Sequence, residues 1–103
     1  MALKDRTVPM RTADIPPGTC VRGYADGKEI AIFNVDGQFY ATQAECTHAG
    51  GPLCDGSLEL DVVICPWHGS RFNVRTGEVV QDPATESLAT YPVKVENGHL
   101  TVG

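Results

Sequence analysis

The sequence predicts an all-β chain. Three observations carry that reading. Short runs rich in Val, Ile, Thr, Phe and Tyr recur along it, the composition a half-buried pleated surface prefers. Turn-forming pairs stand between those runs: Asp26-Gly27, Asp36-Gly37 and Asn97-Gly98. Glycine there supplies positive φ, and Asn or Asp tolerates it. No stretch keeps a 3.6-residue apolar period over three turns, as an amphipathic helix would.

In chain order, the candidate strands begin with 7–12 and 19–24, separated by Pro16-Pro17-Gly18. Strands 28–35 (KEIAIFNV) and 38–42 (QFYAT) flank Asp36-Gly37. A hairpin follows from 58–60 and 62–65. Strands 71–73 and 78–80 flank Thr76-Gly77, and 89–95 and 99–102 flank Asn97-Gly98. Short strands at this spacing suggest an antiparallel sandwich or barrel. The 103 residues fit a single domain, 1–103, with no repeat, low-complexity tract or linker. A chain of that length buries somewhat more than ~60% of its unfolded surface.

Eight basic residues stand against thirteen acidic ones, a formal net charge of -5. Phosphates would repel such a chain, so nucleic acid is not expected as a partner. A protein carrying a basic patch is a better match, because complementary charge speeds encounter. No apolar run approaches the ~18–20 residues needed to cross a bilayer. The start, MALKDRTVPMRTADIPPG, has no apolar h-region and no twin arginine. The expectation is therefore a cytoplasmic chain without a membrane partner. In a reducing cytosol, four cysteines read as metal ligands before they read as a disulfide framework.

Two segments resist the strand reading: 43–57 (QAECTHAGGPLCDGS) and 81–88 (QDPATESL). A structureless segment of about fifteen residues is unusual in a small domain and often functional. The first contains Cys46-x-His48. After sixteen intervening residues comes Cys65-x-x-His68. The hairpin 58–65 lies between the two pairs and would return the chain, bringing both to one end. Structural zinc usually takes a cysteine pair and then a histidine pair. Here each half mixes one Cys with one His. Mixed halves suit two metals, with like ligands from both loops meeting on one iron. A 2Fe–2S cluster with two cysteines on one iron and two histidines on the other is the Rieske type.

CTHAGG at 46–51 and CPWHGS at 65–70 resemble the two cluster-binding boxes of the Rieske iron–sulfur family. QDPAT resembles that family's proline-containing third loop, with Pro83 a rigid wall beside the cluster. IAIFNVDGQFYATQAEC resembles its ferredoxins. The resemblance implies the Rieske iron–sulfur fold: stacked antiparallel sheets and a small cluster-binding subdomain at about 43–73. It implies that Cys46 and Cys65 bind the inner iron, and His48 and His68 the outer, solvent-facing one. Two thiolates neutralise the +2 core of the oxidised cluster, so an electron enters more readily than in a four-thiolate cluster. The potential then falls within roughly -150 to +300 mV. High-potential members carry one more cysteine in each loop and a tyrosine hydroxyl near the cluster. Gly51, Trp67 and Phe72 stand at those positions, while Ser70 matches a hydroxyl. Fewer hydrogen bonds to the cluster place the midpoint near the low end, about -150 mV.

The function implied is that of a one-electron carrier in a bacterial ring-hydroxylating dioxygenase system for aromatic hydrocarbon catabolism. Its partners would be an NADH-dependent flavoprotein reductase and a terminal oxygenase with its own Rieske centre. The chain itself would be a monomer and no enzyme. It has only one histidine beyond the four ligands, His99, and no room for a mononuclear iron domain. The alternatives are the Rieske-like small subunit of an assimilatory nitrite reductase and a non-redox zinc module. Among other residues, Gly50, Gly51 and Gly69 would let amides approach the cluster, and Trp67 would partly cover it. Cys20 and Cys54 are expected to be reduced thiols without chemistry, and His99 a surface histidine. Asp55, Glu59 and Asp61 are expected to be solvated, or to form an acidic docking rim.

Overall fold

The computed structural model describes residues 10–25, 27–47, 52–66, 69–81 and 86–102, and among these there is no α-helix. The strands are β1 (Met10–Arg11), β2 (Cys20–Ala25), β3 (Lys28–Val35), β4 (Gln38–Gln43), β5 (Ser57–Glu59), β6 (Val62–Ile64), β7 (Arg71–Asn73), β8 (Val79–Gln81), β9 (Thr90–Tyr91), β10 (Val93–Glu96) and β11 (His99–Val102). They form three antiparallel sheets in the orders β2-β3-β4-β9, β5-β6-β7-β8 and β1-β11-β10. None of the described helices is long and apolar enough to cross a membrane.

β3 organises the packing, because it is buried on both faces. Ala31 and Phe33 point into one apolar cluster with Leu53, Val63, Phe72, Val74 and Leu88. Ile30 and Ile32 point the other way, into a cluster with Ile15, Ala41 and Leu100. A strand covered on both sides needs a continuous apolar run rather than alternation, which is why it reads Ile-Ala-Ile-Phe. At its end, buried Asn34 accepts the Gly37 N–H at 2.7 Å and donates to the Ile15 carbonyl at 2.7 Å. The turns behave as their residues dictate. Asp36 and Gly37 both have positive φ (53° and 94°), as do Asn97 and Gly98 (52° and 76°). Positive φ at both central positions is the hairpin turn that matches strand twist.

Three expectations need correction. The strand expected at 7–12 is, among described residues, only Met10–Arg11, and Thr12–Asp14 then turns as a 3-10 segment. That turn carries Ile15 into the core, where it is fully buried. The strand expected at 89–95 is two strands. β9 pairs with β4, and β10 pairs with β11 in another sheet. Pro92 lies between them. It has no N–H to give a ladder, so the chain changes sheets there at little cost. Finally, Cys20 and Cys54 are joined in a disulfide, not left as two thiols. They are 34 residues apart in sequence, yet their Cα atoms stand 5.1 Å apart, within the ordinary range for such a bond. Only the fold brings edge strand β2 against the 3-10 turn Leu53–Asp55.

Candidate metal centre

Both candidate ligand boxes are pinched at the base by backbone hydrogen bonding. The first leaves β4, passes the isolated bridge between Glu45 and Pro52, and is closed again by Leu53 N–H on the Ala44 carbonyl at 3.0 Å. Cys46 is the first residue inside that neck. The second leaves β6 and is closed by Cys65 N–H on the Ser70 carbonyl at 2.8 Å. Cys65 is again the first residue, and buried Ser70 leads into β7. Between the boxes runs the hairpin β5–β6. Gly56 admits its entry: a Cβ there would collide with the Ile64 carbonyl, one residue before Cys65.

The necks aim both cysteines at one floor. Cys46 is 3% exposed and Cys65 1%, and both belong to the cluster of Phe33, Leu53, Val63 and Phe72. Neither forms a disulfide. A thiolate is the metal-binding form of cysteine, and apolar burial disfavours it unless a cation compensates. Two buried cysteines on one apolar floor therefore fit the two-thiolate half of an iron–sulfur cluster. His48 and His68 follow these cysteines by two and three positions and lie outside the described residues, as do Gly50, Gly51, Trp67 and Pro83. Among the described residues there is no group of three or more His, Cys, Asp or Glu side chains that could hold a metal ion.

A second set of contacts ties the first box to the return of the third loop. The Thr47 hydroxyl, between Cys46 and His48 in sequence, donates to the Glu86 carbonyl at 2.6 Å. Gln43 donates its backbone N–H to Ala89 O at 3.0 Å, accepts Ala89 N–H on Oε1 at 2.8 Å, and donates Nε2 to Glu45 O at 2.8 Å. Leu88 N–H reaches Gly77 O at 2.7 Å, and a Cβ at Gly77, whose φ is +82°, would strike the Leu88 carbonyl. Sequence reasoning did not single out Thr47 or Gln43. The only available signal was Thr47's place between two candidate ligands.

The acidic residues of the hairpin do not form a bare rim. Glu59 faces Arg71 at 3.8 Å, and Asp61 faces Arg75 at 3.9 Å and accepts from Asn73 Nδ2 at 3.4 Å. Asp55 is exposed beside Cys54, and His99 is exposed, as expected.

A fold of three small antiparallel sheets with two pinched Cys-bearing loops has counterparts. Residues 5–92 match the family model described as the Rieske [2Fe-2S] domain. The ferredoxin component of the naphthalene 1,2-dioxygenase/salicylate 5-hydroxylase systems of a Ralstonia species is 46% identical over 84 residues, 82% of this chain and 81% of its own length. The biphenyl dioxygenase ferredoxin subunit of Pseudomonas sp. strain KKS102 is 43% identical over 90 residues, 86% of this chain and 83% of its own. A solved complex of reduced oxygenase and oxidized ferredoxin in carbazole 1,9a-dioxygenase contains a chain that superposes with a TM-score of 0.87. That chain is 37% identical, and the match covers 93% of this chain and 100% of that one. The chain belongs to the Rieske iron–sulfur family, and its cofactor is a Rieske-type 2Fe–2S cluster. Within the family it is a Rieske-type ferredoxin, an electron carrier.

Proposed function

We propose that this ferredoxin is the electron-transfer component of a ring-hydroxylating dioxygenase system. It takes one electron from an NADH-dependent flavoprotein reductase and delivers it to the Rieske centre of a terminal oxygenase. The observation that carries this reading is the pair of pinched boxes, with Cys46 and Cys65 buried on one apolar floor. In it, Cys46 and Cys65 hold the inner iron, and His48 and His68 the outer iron, in a subdomain of about 43–73. The bound cluster supplies a single redox-active electron site without an open coordination position. The residues do the rest. Leu53, Val63 and Phe72 back the two cysteines and keep water from that side. The histidine side is then the way in and out for the electron. Both partners use that face in turn, so their contacts are small and wet, below about 1,200 Å².

The relatives support the oxygenase side: they are named as ferredoxin components of naphthalene and biphenyl dioxygenase systems. The reductase side rests on the family resemblance. All four ligand positions are filled, which favours a carrier over nitrite reductase small subunits that lack them. The test is a reconstituted chain: NADH, a flavoprotein ferredoxin reductase and a ring-hydroxylating oxygenase of this class. Visible absorbance of the ferredoxin should bleach with NADH and reductase, and recover when oxidised oxygenase is added without air. A colourless zinc protein, or a cluster that reduces but never passes its electron on, contradicts the reading.

A further inference from the structure

We propose that Cys20–Cys54 is a thiol–disulfide exchange site whose state sets how firmly the first ligand box is held. The placement is specific. Cys54 sits in the turn Leu53–Asp55, which starts one residue after the Glu45–Pro52 neck. Cys20 sits on β2, the edge strand of the four-stranded sheet. The disulfide thus joins the base of the box to a sheet that the hairpin β5–β6 does not belong to. Without it, the turn's backbone bonds stay within the box and its base and none reaches β2: Leu53 N–H to Ala44 O, Asp55 N–H to Pro52 O and Gly56 N–H to Leu53 O. Leu53 alone of the turn is fully buried.

The bond is also reachable. Both cysteines are only partly buried, and both line an open groove of about 770 Å³ with Asp14, Thr19, Arg22 and Asp55. By contrast, the thiols of Cys46 and Cys65 are sealed in the core. A dithiol reductant entering the groove attacks one sulfur as thiolate and breaks the S–S bond, giving a mixed disulfide. Its second thiol then attacks that mixed bond. The protein disulfide gains two electrons and two protons to become two thiols, and the dithiol is oxidised to a disulfide. A disulfide oxidant reverses the exchange. Opening the cross-link frees the turn from β2 and loosens the neck at Glu45 and Pro52 that closes the first box. The exchange itself needs no cluster, whereas the effect on the box rests on the ligand assignment above.

Two readouts test this on the intact protein. First, protein purified without reductant is denatured, alkylated and weighed, with or without prior dithiothreitol. Two alkylated cysteines rising to four, with a linked Cys20–Cys54 peptide before reduction, is the expected result. Four from the start overturns the proposal, whether or not a cluster is present. Second, decay of the visible absorbance is followed anaerobically in excess iron chelator. Dithiothreitol should speed it several-fold in the native chain and leave Cys54→Ser, already fast, unchanged. Equal rates in the cross-linked and reduced native protein, or the same acceleration in Cys54→Ser, overturn the link to the box.

Discussion

The two candidate ligand boxes are alike in sequence and differ in how their described residues are held. The second is closed at its base by residues near in sequence. Its neck is closed by Cys65 N–H on the Ser70 carbonyl, and its flanks are adjacent strands of one sheet, with Ile64 opposite Arg71. The first, at 46–51, depends on distant chain. Thr47 reaches 39 residues to Glu86, Gln43 reaches 46 residues to Ala89, and Cys54 reaches back 34 to Cys20. The lesson concerns robustness. The second neck is closed between neighbouring strands, while contacts that hold the first come from the third loop and the large sheet. Perturbations far from the metal should therefore act through the first box more than the second.

The largest effects make the boxes equal again. Cys46→Ala and Cys65→Ala each remove a buried cysteine proposed as a ligand, and iron content should fall to near zero in both. Near-full iron in either variant would exclude that cysteine as a ligand. Next come the backbone close approaches. Gly56→Ala drives a Cβ into the Ile64 carbonyl, and Gly77→Ala drives one into the Leu88 carbonyl at positive φ. Overpacking of this kind costs about 1–3 kcal/mol, read as a lower denaturant midpoint. A neutral Gly56→Ala would show that the neck has slack.

Smaller effects sharpen the contrast. Thr47→Val loses a hydroxyl donor worth about 1 kcal/mol. It should speed cluster loss to chelator, and Thr47→Ser should restore the native rate. If both behave alike, the Glu86 contact does not hold the box. Smallest are the exposed ion pairs. Glu59→Gln, which ends the 3.8 Å pair with Arg71, should change stability by no more than about 0.5 kcal/mol and leave cluster retention unchanged.

The same contrast separates what the sequence reveals from what it hides. Asp36-Gly37 and Asn97-Gly98 encode their turns in two residues, so β3, β4 and β11 lie close to where the pattern puts them. Cys65-x-x-His68 and Cys46-x-His48 mark candidate ligands by spacing, and the two cysteines are buried in the same apolar cluster. What stays hidden is whatever depends on non-local meeting. Pro92 looks like one residue of a Val-rich run until two different sheets are seen to claim its neighbours. Cys20 and Cys54 carry no shared spacing, and Thr47's hydroxyl has no partner near it in sequence. Acidic Glu59 and Asp61 look free until the register of β5, β6 and β7 sets arginines beside them.

The central claim is that the two boxes share one pair of irons, with sulfur ligands on one and nitrogen on the other. Mössbauer spectroscopy of the protein grown on iron-57 and purified without air tests it most directly. The account predicts two iron signals of equal area with different isomer shifts in the oxidised state, the smaller shift from the iron held by Cys46 and Cys65. A single symmetric signal, or a protein containing zinc and no labile sulfide, would contradict it.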